Sequence, residues 1–161
     1  MASLFVGVGE GKVSRTAGVV VKAMALGSCV GVIVLCPDVH AVGLLHVALP
    51  DASINPQKSQ TLPGMFADTG IPFILREMMK QGYEGDGKLI IKLAGGAGIM
   101  EPNNIFNFGK RNILAVRKTL SECGLSAVAE DVGDIISRTV SVDVDSGRVT
   151  ISSPGRGQWE L

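Results

Sequence analysis

Residues 30–36 (Val-Gly-Val-Ile-Val-Leu-Cys) form an unbroken apolar run, bounded by Gly27-Ser28 on one side and Pro37-Asp38 on the other. Seven residues are too few for a stable lone helix, and the β-branched content favours a strand. Val19 to Val21 before the run and Ala41 to Leu49 after it read as further strands. Punctuated in this way, the first third predicts an antiparallel meander. It places Cys29 near one strand end and His46 on a neighbouring strand.

The remainder alternates helical and extended patterns. Val6 to Glu10 is a short strand-like or turn-like opening. Pro50 to Pro63 is polar and predicts a surface loop directly after the histidine strand. Met65 to Gln81 predicts a helix with Phe73, Ile74, Leu75 and Met78 on its apolar side. Asp68 is the expected N-cap, which would leave Pro72 in the first turn, where its missing N–H costs little. Lys88 to Leu93 reads as a strand leading into Ala94-Gly95-Gly96-Ala97-Gly98. A second helix is expected over residues 109–123, with Ile113, Val116 and Leu120 at helical spacing and Gly124 as its C-cap. Leu125 to Ala129 is another strand. Val140, Val142 and Val144, a turn at Asp145-Ser146-Gly147, then Val149 and Ile151 make a hairpin signal. No repeat or interdomain linker interrupts residues 1–161. The expected architecture is one α+β domain with a largely antiparallel sheet and two main helices.

Composition narrows function mostly by exclusion. A chain of 161 residues with 46% hydrophobic content has ample core material and can bury roughly 70% of its unfolded surface. Fifteen basic and fifteen acidic side chains cancel, without a basic block, so attraction to nucleic acid has no electrostatic support. Aromatics at 4% also argue against a base-stacking platform. The longest apolar run is far below the ~20 residues needed to span a bilayer. Residues 1–10 carry no basic n-region or cleavage site, so no signal peptide is expected. Three cysteines cannot all pair within the chain, and a reducing cytoplasm is the expected setting.

The chemistry rests on scarce residues. The chain has three cysteines and two histidines. Cys36 ends an apolar run and Cys123 falls in a last helical turn, so both read as packing. Cys29 differs because Gly27-Ser28 precedes it, and such a turn exposes consecutive N–H groups that can hold an oxyanion. His46 is either a hydrogen-bonded core residue or a general base for Cys29. His40 lies in a turn and reads as solvated. No CxxC or HExxH cluster points to a metal, and no cofactor is expected. Gly7-Val8-Gly9-Glu10 does not complete a dinucleotide fingerprint. Gly95-Gly96-Ala97-Gly98 lacks the Gly-Lys-Ser/Thr of a P-loop, so Gly95 and Gly96 read as a close-packed turn or a wall of the active-site groove. Thr69 is a further candidate for that groove. Glu130-Asp131 near Arg138 reads as a structural ion pair.

Several segments in one order carry a family resemblance. They are Gly7-Val8-Gly9-Glu10, Leu26-Gly27-Ser28-Cys29-Val30, His46-Val47-Ala48-Leu49-Pro50, Phe66-Ala67-Asp68-Thr69, Lys92-Leu93-Ala94-Gly95-Gly96-Ala97, Gly109-Lys110-Arg111-Asn112 and Glu130-Asp131-Val132-Gly133. With this order and spacing the chain resembles the CheD family, the chemoreceptor glutamine deamidases of bacterial chemotaxis. The resemblance implies a layered α/β sandwich, with Cys29 as nucleophile, His46 as base and a thioester intermediate. It implies methyl-accepting receptors as substrates, attacked on their helical cytoplasmic region, and a CheC-like phosphatase as a further partner. Two positions depart from the family pattern. Ala23 stands where the family usually has a threonine whose hydroxyl completes the catalytic set, and Asp134 stands where a second glycine commonly follows Gly133. Ala23 motivates an alternative, a catalytically weak or inactive regulatory module that binds a CheC-like phosphatase or receptor.

Overall fold

The computed structural model describes residues 2–98 and 106–161. In chain order the elements are β1 (Ala2–Phe5), β2 (Gly11–Ser14), β3 (Val19–Leu26), β4 (Val30–Cys36), β5 (Ala41–Val47), α1 (Pro56–Thr61), α2 (Ala67–Lys80), β6 (Ile90–Gly95), α3 (Phe108–Glu122), β7 (Ala127–Val132), β8 (Arg138–Asp143), β9 (Val149–Ser153) and β10 (Gly157–Glu160). Two five-stranded sheets result, ordered β1-β3-β8-β9-β10 and β2-β5-β4-β6-β7. The pairs β1/β3 and β6/β7 are parallel, and the other six are antiparallel. This is the expected α+β layered sandwich.

Three layers follow from where the apolar side chains go. Alternate residues of β4 and β5 face opposite ways, as the period of a strand requires. One set, including Val32, Val34, Leu45 and Val47, packs against Ile71, Ile74 and Met78 of α2 and Ile113, Val116 and Leu120 of α3. The other set, including Ile33, Leu35, Val42 and Leu44, packs against Val21, Ala23, Val140, Val142 and Ile151 of the first sheet. The second sheet is therefore the middle layer, which is why every residue of β4 is buried. Each fully buried Ile or Leu there stabilises the fold by about 1.5–3 kcal/mol.

The structure corrects the expected meander. β3 belongs to the outer sheet, whereas β4 and β5 belong to the middle one. The chain changes sheets at Gly27-Ser28-Cys29, just after the β3/β8 ladder slips between Ala23 and Leu26. Residues 50–63 also differ from a plain loop. They hold α1, capped by the Asn55 side chain with Pro56 in its first turn, flanked by short 3-10 turns at Ala52–Ile54 and Pro63–Met65. Phe66, not Asp68, is the N-cap of α2, so Pro72 lies inside that helix. The Asp68 carboxylate instead accepts the Ala52 N–H at 3.0 Å.

At the edge nearest the sheet change, a buried Arg138 joins the two sheets. Its Nε lies 2.8 Å from Asp131 Oδ1 on β7, and its Nη1 donates to the Gly133 carbonyl at 2.9 Å. Asp131 also accepts from the Trp159 indole on β10. Glu130 takes no part in that link and pairs with Arg117 of α3. Gly133 and Asp134 both have positive φ, 80° and 60°, so the turn keeps its left-handed shape with an aspartate in place of the second glycine.

Candidate active site

His46 and Cys29 lie on the face of the middle sheet that looks toward the outer sheet. In the β4/β5 ladder His46 lies opposite Gly31, and Cys29 is two residues before Gly31. Cys29 stands just before β4 begins, so continuing the strand's alternation puts it on the same sheet face as His46, one diagonal step away. Cys29 packs against the intersheet cluster and is half-buried. His46 sits between Leu44 and the buried Val6 on the same side, with 4% of its surface exposed. Gly31 has no side chain there, and the space above it is filled by Leu26, whose Cδ1 lies 3.2 Å from where a Cβ would stand.

The imidazole is held from the N-terminal segment. His46 Nδ1 lies 3.2 Å from the Val6 carbonyl, which can only accept. The ring therefore carries its proton on Nδ1 and leaves Nε2 as the free base. The backbone around it is tied as well. Gly9 N–H donates to the His46 carbonyl, and His46 N–H to the Glu10 carbonyl, each at 2.9 Å. The Glu10 carboxylate accepts the Gly7 N–H at 2.6 Å and closes the turn.

The Cys29 corner is equally constrained. Three consecutive carbonyls each accept a hydrogen bond from the fold: Gly27 from Ala97 N–H at 2.8 Å, Ser28 from Asn112 Nδ2 at 3.0 Å, and Cys29 from Gly96 N–H at 2.8 Å. Among the described residues no acceptor meets the Ser28 N–H. A Cβ on Gly27 would meet nothing within 4 Å, and its φ is outside the left-handed range. Neither its surroundings nor its φ requires a glycine there.

Gly95 and Gly96 are packing elements under Cys29. A Cβ on Gly95 would lie 2.3 Å from the Cys29 carbonyl oxygen, and φ is +110°. At Gly96, with φ +67°, a Cβ would lie 2.5 Å from Ile113. The two glycines let the end of β6 press against the corner. Thr69 does not reach the pair through any hydrogen bond; its hydroxyl donates to the Pro63 carbonyl at 2.6 Å and fastens the start of α2. Ala23 is fully buried in the intersheet cluster, opposite Val140. The Val6 carbonyl had no sequence signal, because a backbone oxygen is present in every residue.

A second cysteine and histidine, Cys36 and His40, line a cavity of about 390 Å³ at the far end of β4. Cys36 is buried in the helix-side cluster, whereas His40 sits exposed after a 3-10 turn in a left-handed conformation. Cys36 is packing and His40 is surface, as the sequence predicts, whereas Cys123, also expected to be packing, is exposed at the C-cap of α3. Among the described residues no group of three His, Cys, Asp or Glu gathers to hold a metal, and no helix is long and apolar enough to cross a membrane.

Burial sets the protonation states. It pulls the His46 pKa below 6.5, partly offset by the Val6 carbonyl and the nearby Glu10 charge. Burial pushes the Cys29 thiol above its ordinary value of 9.0, partly offset by its own N–H. Near neutral pH the resting pair is thus a thiol beside a free-base imidazole, the states a general-base mechanism needs. The acid limb of kcat/KM is expected below pH 6.5, where His46 takes a proton. Stability should follow the same sign. Because the unfolded histidine binds a proton first, stability is complete above pH 6.5 and falls as pH drops toward the folded pKa. NMR titration of the His46 ring alongside a pH–rate profile checks both, and an acid limb above pH 7 would contradict them.

The family model described as "CheD chemotactic sensory transduction" matches residues 48–153. Pairwise similarity extends across the N-terminal part as well. The chain is 49% identical over 162 residues to the "Probable chemoreceptor glutamine deamidase CheD" of Syntrophotalea carbinolica, covering 100% of both chains. It is 37% identical to a probable chemoreceptor glutamine deamidase of Syntrophus aciditrophicus, again covering 100% of both. With the "Chemoreceptor glutamine deamidase CheD" of Thermotoga maritima it shares 35% identity, over 95% of this chain and 93% of the other.

Proposed function

Because the chain belongs to the CheD family of chemotactic sensory transduction proteins, we propose that it is a chemoreceptor glutamine deamidase, with Cys29 as nucleophile and His46 as general base. The observation that carries the residue assignment is the held imidazole, with Nδ1 on the Val6 carbonyl and the ring diagonal to Cys29 on one sheet face. The proposed substrates are glutamines on the cytoplasmic helices of methyl-accepting receptors, and the setting is the cytoplasm.

The steps follow from the protonation states. Nε2 of His46 takes the Cys29 proton as the sulfur attacks the side-chain carboxamide carbon. The Ser28 and Cys29 N–H groups are the nearest candidates to receive the tetrahedral oxyanion. Collapse of that intermediate breaks the C–N bond, and the imidazolium gives its proton to the leaving ammonia. The thioester is then attacked by a water that His46 deprotonates. Glutamate leaves with a new negative charge, and the thiol is restored.

Incubation with a receptor cytoplasmic fragment should release ammonia and raise the mass of specific glutamine peptides by an amide-to-acid conversion. Intact glutamines, under conditions where a relative converts them, would sink the proposal.

Ala23 favours a second reading, a regulatory module that binds a CheC-like phosphatase or receptor with little turnover. The Val6 carbonyl counts against it, since His46 keeps an acceptor without a threonine. Ala23→Thr tests the difference. In the active-enzyme reading the substitution changes deamidation less than about tenfold, because an orienting acceptor is already present. Restoration of a near-silent enzyme by Ala23→Thr would favour the binding module.

A further inference from the structure

We infer that Asn112 of α3 is a positioning residue for the Cys29–His46 pair, holding the two catalytic strand ends in register from the opposite face of the sheet. This rests on the deamidase reading for its catalytic meaning, though not for its geometry. Asn112 is fully buried. Its Nδ2 donates to the Ser28 carbonyl at 3.0 Å and to the Ala48 carbonyl at 3.0 Å. Ser28 immediately precedes the nucleophile, and Ala48 lies two residues beyond the base. One side-chain nitrogen therefore ties the entry to β4 to the exit from β5.

The choice of residue follows from donor counting. A primary amide nitrogen carries two protons, and here both are used on carbonyls of different strands. Serine or threonine would supply one donor, and a lysine would bring a charge into a site with no exposed surface. Among the described residues the arrangement leaves Asn112 Oδ1 buried with no hydrogen-bond partner. Such an acceptor is normally avoided. Its retention in a fully buried amide is explained by the need for two donors at one point between the strands.

Neighbouring contacts make the clamp rigid. One turn earlier on α3, a Cβ on Gly109 would lie 2.6 Å from the carbonyl oxygens of both Gly96 and Ala97. Gly109 thus seats the helix on the end of β6, whose Gly96 N–H holds the Cys29 carbonyl. Within Gly109-Lys110-Arg111-Asn112, the first and last residues meet the ends of all three strands around the site. Neither touches the reacting atoms, so any catalytic effect of Asn112 passes through the backbone.

The test compares wild type with Asn112→Ala in two readouts, at a temperature where each is folded by circular dichroism. One is the kcat and KM of deamidation on a receptor fragment. The other is the rate at which iodoacetamide alkylates Cys29 across pH, read by peptide mass spectrometry with the exposed Cys123 as internal reference. A pair displaced by about 1 Å should lose on the order of a hundredfold in kcat, with KM little changed. The pH profile of Cys29 alkylation should also lose the inflection due to His46. Should Asn112→Ala accumulate unfolded, Asn112→Ser, which keeps one donor, is expected to show the same changes at smaller amplitude. A variant with a lowered melting temperature but wild-type kcat and alkylation profile would overturn the inference and leave Asn112 a purely structural residue. Alkylation also separates the two claims. If wild type converts no glutamine yet the Cys29 profile shifts in the variant, the deamidase reading fails and the positioning role stands.

Discussion

Cys29→Ala is expected to lower receptor deamidation by about 10⁴-fold or more, the usual scale for removing the nucleophile of a Cys–His or Ser–His site. The fold should hardly notice. Cys29 is half-buried at the edge of the intersheet cluster, and loss of one sulfur there should cost no more than about 1 kcal/mol. The variant should still bind a receptor fragment, since the open space beside Gly27 and the surrounding backbone are unchanged. His46→Gln should fall by a comparable factor, and the double variant should be little worse than either single one, because the two residues act as a unit. Ammonia release and peptide mass analysis check this. Substantial turnover by Cys29→Ala would require another nucleophile and would remove the basis of the mechanism.

The largest structural effect is expected from Gly95→Ala. Its φ of +110° is essentially closed to side chains, and the added Cβ would lie 2.3 Å from the Cys29 carbonyl oxygen. Backbone strain contributes about 1–3 kcal/mol, and the overpacking about 1–3 kcal/mol more. The neighbour that must yield is backbone, so no side-chain rotation offers an escape. We expect a loss of roughly 2–6 kcal/mol in denaturant unfolding, together with a large fall in kcat from displacement of the nucleophile. Gly27→Ala is the control. Its Cβ enters open space, so stability should stay within about 0.5 kcal/mol of wild type. If Gly95→Ala proved equally silent, the packing of β6 against the Cys29 corner would be wrong.

How far these features were legible in sequence depended on whether a side-chain pattern encoded them. The two long helices announced themselves through Ile74 and Met78 and through Ile113, Val116 and Leu120, all of which are buried. The β8/β9 hairpin did so through strict alternation. In contrast, α1 carries no apolar stripe and buries no residue; Asn55 and Pro56 were its only signals. β10 is an edge strand whose one large apolar side chain is Trp159. The division of the first third between two sheets was hidden because a strand pattern does not name its partner. In hindsight, Lys22 on β3 and the wholly apolar β4 mark a strand covered on one face and a strand covered on two.

For the site, residue scarcity pointed to Cys29 and His46. Their supports were invisible for different reasons. The Val6 carbonyl has no chemical identity in a sequence. Asn112 is far from both residues along the chain, and its role exists only once α3 crosses three strand ends. Gly95 and Gly96 read as a close-packed turn or a groove wall, and the packing against the Cys29 carbonyl and Ile113 agrees with the first of these.

The sheet order has a further consequence during synthesis. β4, β5 and β6 can pair once the middle of the chain has emerged, but β3 has its antiparallel partner only in β8, near the C-terminus. Until β8, β9 and β10 arrive, the face bearing Cys29 and His46 lacks most of the layer that covers it. The nascent protein therefore exposes its thiol and an apolar sheet surface together, and such long-range pairing closes slowly. Within residues 1–161 the sheet that covers Cys29 and His46 is thus completed only by β8, β9 and β10.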